Sequence, residues 1–93
     1  GHAVGVDLRG LSGAIRKNGP RTTSDKPHGV RSSTLFSLAC AMIRDGYELQ
    51  VVAGELEGAD IEWGGKYARR PDGRQRLWKM VLDAKKLAWE PKD

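Results

Sequence analysis

The sequence predicts an all-α fold, a small bundle of about four helices. Three observations support this. Residues 32–46 carry one apolar stripe at helical spacing, with both ends of the helix marked. Three further stretches repeat such spacing. Gly and Pro residues stop the runs between them. The chain has 93 residues, which suits one domain with a thin core. Gly1-His2 resembles a tag remnant and is set apart, leaving 3–93 as a single domain.

In chain order, residues 3–19 hold Asp7, placed to cap a helix, then Leu8, Leu11, Ala14 and Ile15 on one face. Gly10 and Gly13 weaken that helix by about 1 kcal/mol each relative to Ala. Asn18-Gly19-Pro20 ends it. Residues 19–31 are polar and aperiodic, a loop. The central helix follows, with Leu35, Leu38, Ala39, Met42 and Ile43 as its buried stripe. Phe36 and Cys40 widen the stripe, so more than one element should cover it. Ser32 or Ser33 offers an N-cap hydroxyl, and Gly46 a left-handed stop. Tyr47 and Glu48 open a third run, in which Leu49, Val52, Ala53 and Leu56 share a face and Gly58-Ala59-Asp60 ends the helix. The short link at Asp45-Gly46-Tyr47 makes a helical hairpin. Residues 59–73 read as a second irregular segment. Gly64-Gly65 is a tight turn there, and a short β-hairpin pairing 60–63 with 66–69 is the alternative. Asp72 caps the last helix, Gly73 to about Trp89. Leu77, Val81, Ala84 and Ala88 form its stripe, with Trp78, Met80, Leu82 and Leu87 beside it, and Pro91 closes it.

Composition excludes several chemistries. One cysteine leaves no intramolecular disulfide and no Cys-based zinc site, which fits a reduced, cytoplasmic setting. No apolar run approaches the roughly 20 residues that span a membrane, so no membrane partner is expected. There is no signal peptide and no phosphate-cradling Gly-rich loop followed by Lys-Ser/Thr. His28 stands alone, and Cys40 lies on the apolar stripe, where it reads as a small core hydrophobe. Asp45, Glu48, Glu55, Glu57 and Asp60 read as a solvated face and not as convergent metal ligands. No catalytic set, metal or cofactor is expected, and the chain reads as a binding module rather than an enzyme by itself.

Charge gives the positive signal. The formal net charge of +4 is unevenly spread. Residues 1–31 have six Lys/Arg against two acids, 32–60 one against five, and 61–93 nine against five. Lys66, Tyr67, Arg69, Arg70, Arg74, Arg76 and Lys79 stand close to Trp63 and Trp78. Basic residues neutralise phosphates and flat rings stack on unpaired bases, which is what a single-strand surface needs. In the alternative reading Trp78 is core, Trp63 caps the core and the Arg side chains only solubilise. A second group comprises Arg21, Lys26, His28 and Arg31. Arg31 precedes the Ser32-Ser33 cap and stands beside exposed helix N–H groups that suit a phosphate, with a surface ion pair as its alternative.

The segment from Val6-Asp7-Leu8 to Asn18-Gly19, followed by Gly29-Val30-Arg31-Ser32-Ser33-Thr34-Leu35-Phe36-Ser37-Leu38-Ala39-Cys40 and Arg44-Asp45-Gly46, resembles a known family. It is similar to the primase C-terminal, or helix-bundle, domain that follows the primase-polymerase domain in phage and plasmid replication proteins. Val81-Leu82-Asp83-Ala84-Lys85 matches the basic-apolar pattern of that family's final helix, and the resemblance spans roughly residues 6–87. The segment 59–73 departs from the compact family pattern. The resemblance implies an accessory role in primer synthesis, in which the bundle engages single-stranded DNA template and, in some members, nucleotide such as ATP. The primase-polymerase and helicase domains of the same chain would be its neighbours. Arg31 and Ser32 are the positions it carries over.

The expected interface is therefore Lys26, Arg31, Ser32, Trp63, Lys66, Tyr67, Arg69, Arg70, Arg74 and Arg76, with Trp63 or Tyr67 stacking on a base. The alternative is a protein–protein docking module that links primase and helicase through the acidic helix faces and an exposed Trp. A helix-turn-helix on duplex DNA fits poorly, because the run after Gly46 carries Glu48, Glu55 and Glu57 and no Lys or Arg.

Overall fold

The computed structural model describes residues 8, 10–20 and 31–89. Among them are four helices and no strand: α1 (Gly10–Asn18), α2 (Arg31–Arg44), α3 (Leu49–Glu62) and α4 (Gly73–Trp89). The expected all-α bundle is what forms. The expectations for Asp7, for most of the loop 19–31 (Arg21, Lys26 and His28 included) and for Pro91 lie outside the described residues.

Helix α2 is the central element. Its Leu35, Leu38, Ala39, Met42 and Ile43 are wholly buried, and it packs against α1, α3 and α4. Val52, Leu56 and Ala59 of α3 and Leu77, Val81 and Ala84 of α4 complete the core. Each large side chain removed from water contributes about 1.5–3 kcal/mol. Cys40 belongs to this cluster, and burial pushes its thiol above the ordinary range despite the opposing charge of Arg44. That suits a packing residue and not a nucleophile. α2 stops at Gly46, whose φ is +97°. The Gly46 N–H bonds to the Ile43 carbonyl at 3.0 Å and the Tyr47 N–H to the Met42 carbonyl at 3.2 Å, a Schellman stop.

Several boundaries differ from expectation. α2 begins at Arg31, so Ser32 lies inside its first turn and does not cap it from outside. α3 runs through Gly58 to Glu62. A helical Gly costs about 1 kcal/mol, and the burial of Ala59 and Asp60 beyond it offsets that cost. Gly64 then ends α3 as Gly46 ends α2: φ is +116°, and the Gly65 N–H bonds to the Asp60 carbonyl at 2.7 Å. Gly64-Gly65 thus closes a helix, and residues 60–69 form no hairpin.

Helix α1 is rotated relative to the face expected from its apolar residues. Leu11 is 63% exposed and Ala14 is exposed, whereas Ser12 is fully buried with Leu8 and Ile15 partly so. Polar bonds set this orientation. Ser12 donates to Asp45 at 2.9 Å, and Arg16 reaches Glu55 at 2.8 Å and Glu62 at 3.1 Å. On α4 the stripe Leu77, Val81 and Ala84 is buried as expected, but Trp78, Leu82 and Leu87 are exposed.

The start of α4 tolerates no side chain. A Cβ on Gly73 would lie 1.8 Å from the main-chain oxygen of Tyr67. Gly73→Ala must therefore displace the 63–72 backbone, at a cost of about 2–3 kcal/mol or more. Urea unfolding should show a lowered midpoint of that size. A change below about 0.5 kcal/mol, the range of neutral surface substitutions, would contradict the close approach.

Candidate nucleic-acid interface

The candidate site is organised from inside, by Asp60. This side chain is 2% exposed in the last turns of α3. Its carboxylate accepts the Tyr67 N–H at 3.0 and 3.2 Å and the Ala68 N–H at 2.8 Å. A buried carboxylate is stable when such donors replace its water. Asp60 is therefore not part of a solvated acidic face, as expected from sequence, but the tether of the connection between α3 and α4. Asp45 and Glu55 are also engaged, by Ser12 and Arg16.

The tethered connection turns Tyr67 inward. Its ring is 8% exposed, and its hydroxyl lies 2.8 Å from the Ser32 hydroxyl. Tyr67 is a core residue, so the expected base-stacking role fails for lack of an open ring face. Trp63 is half-buried, with the Arg16 guanidinium 5.6 Å above its ring and its edge close to Gly19. It ties α1 to the connection by a cation–π contact, and that contact occupies one of its faces.

Two cations gather where α2 starts. Lys66 donates to the Ser32 hydroxyl at 2.9 Å and stands 5.6 Å from the Tyr67 ring centre. Arg31 donates to the Trp63 carbonyl at 3.3 Å, lying across the Cβ-less face of Gly64. Their partners are neutral oxygens, and among the described residues neither cation meets a carboxylate. The first turn of α2 carries no acid, and helix N–H groups add positive potential there.

The remaining expected residues divide. Arg69 and Arg70 are exposed on the same connection. Arg74 lies 3.5 Å from Glu57, with 85% of its side chain exposed. Arg76 instead holds Asp72 at 2.7 Å, one helical turn away, and this bond keeps the Asp72 carboxyl below its usual range. Arg76 is thus a local partner of the α4 start. Lys26 lies outside the described residues. The structure brings together Arg31, Ser32 and Lys66, with Arg69 and Arg70 on the same connection, and does not bring Arg76 or the Tyr67 ring into an open site. Sequence reading left open whether Trp78 is core or exposed, and the structure exposes it, at 42%. Its place one residue off the Leu77–Val81–Ala84 stripe is the signal in the chain.

Comparison with models of known protein families finds no match, and neither curated proteins nor solved structures provide one.

Asp60→Ala would leave the Tyr67 and Ala68 N–H groups without their acceptor, at about 1–3 kcal/mol each if they stay buried. The expected outcome is a loss of about 2–4 kcal/mol in urea unfolding, together with faster amide exchange at both residues. Unchanged exchange at Tyr67 and Ala68 would show that another group holds the connection.

Proposed function

We propose that this bundle binds single-stranded DNA as a non-catalytic accessory domain of a primase-type replication protein, in the cytoplasm of a bacterial host cell. Primase-polymerase and helicase domains of the same chain would be its neighbours. One observation carries the reading: Arg31 and Lys66 converge at the start of α2 on neutral acceptors, and among the described residues no carboxylate meets either charge. Arg69 and Arg70 on the adjoining connection extend the charge toward the start of α4. Such a row of cations suits a phosphate backbone. The replication setting rests on the resemblance of the Arg31–Gly46 segment, and Arg31 and Ser32, the residues it carries over, are among those that gather here. The protein-docking alternative relied on acidic faces, and two of those acids are used within the fold: Asp60 is buried on main-chain N–H groups and Glu55 is paired with Arg16.

The test is an anisotropy titration of labelled oligothymidine at several salt concentrations. Affinity should fall with salt at a slope of about 0.7 per phosphate contact. Replacing both Arg31 and Lys66 by Ala should weaken binding and reduce that slope by about 1.4, two contacts' worth. Absence of binding at low salt, or an unchanged slope in the double variant, would refute the proposal.

A further inference from the structure

We propose that Trp78 is the stacking platform for an unpaired base, with Arg74 holding the adjoining phosphate; this rests on the single-strand reading above. Sequence reading assigned stacking to Trp63 or Tyr67, but Tyr67 is core and Trp63 has Arg16 over one face. Trp78 is exposed, at 42%, and no cation–π contact from a described residue falls on it. Arg74 precedes it by one helical turn, so the two side chains share a face about 5–6 Å apart at Cβ. That spacing suits one nucleotide, with its flat base on the indole and its phosphate on the guanidinium. Arg74 is available for this: 85% of its side chain is exposed, and its contact with Glu57 is long, at 3.5 Å. Exposed ion pairs of that kind contribute little and yield readily to a phosphate.

Glu57 of α3 meets Arg74 of α4. One turn before Glu57, no atom lies within 4 Å of where a Gly54 Cβ would stand, so the surface of α3 is open there. A groove lined by Glu57, Ile61, Pro71, Leu77, Arg70 and Arg74 runs from Arg74 toward the α3–α4 connection. A strand lying along it would pass from Trp78 and Arg74 to Arg70, and from there to the cations beside α2. An apolar ring one helical turn from an exposed arginine favours a flat anionic ligand over an uncharged protein surface.

The test uses oligothymidine and the whole chain. Trp78→Ala should weaken binding about tenfold, the order expected from losing one stacked base, with the salt slope unchanged because no charge is lost. Trp78→Phe keeps a flat ring and should retain affinity within about threefold. Arg74→Ala should lower the salt slope by about 0.7. If the wild-type protein binds and Trp78→Ala binds equally well, this inference fails while the single-strand reading stands. If the wild-type protein fails to bind at low salt, both fail. Sedimentation showing a dimer that Trp78→Ala converts to monomer would also overturn the inference, since the indole would then be covered by a second copy.

Discussion

The Asp60 carboxylate is the contact on which the rest of the architecture depends. It is a charge inside a small protein, held there by main-chain N–H groups of a connection that has no regular structure of its own. Such a group is costly to bury alone and inexpensive once its lone pairs are met. Because it is met by Tyr67 and Ala68, the chain leaves α3 along one path, turns at Gly64 and Gly65, and re-enters α4 at Gly73. The Tyr67 carbonyl passes Gly73 so closely that no other residue fits. The same path carries the Tyr67 ring into the core and its hydroxyl to Ser32, which couples the start of α2 to the end of α3.

That coupling decides which charges are spent and which remain available. Arg16 and Arg76 are held by Glu55, Glu62 and Asp72, so they act as structural fasteners. Arg31 and Lys66 are held by a carbonyl and a hydroxyl, so among the described residues they are positioned without being neutralised. A side chain fixed in place before its ligand arrives loses less entropy on binding than a free one. The bundle thereby presents a cationic end, while Asp45 and Glu48 lie at the opposite end, around the α2–α3 turn. Basic composition alone would not have distinguished these two uses of arginine.

How much of this was legible in the chain follows from which forces act locally. The stripe of α2, its Gly46 stop and the core positions of α4 depend on periodicity and turn chemistry, and they could be read directly. The α1 face could not, because it is set by Ser12 and Arg16 reaching acids that lie 33 and 39 residues away in sequence. The α3 end was misplaced for a related reason: Gly58 signals a stop, and only tertiary burial of Ala59 and Asp60 overrides it. At the candidate site the residue types were readable but not their states. Tyr67 and Trp78 look alike as aromatics beside basic residues, and the Asp60 tether sends one inward while the helix phase turns the other out.

The most direct measurement of the central claim is an amide NMR titration of the protein with oligothymidine. Shifts should concentrate at residues 31–32 and 64–78, the start of α2, the tethered connection and the first turns of α4, and leave the turn at 45–48 unchanged. Shifts confined to that acidic turn, or absent everywhere at low salt, would contradict the account.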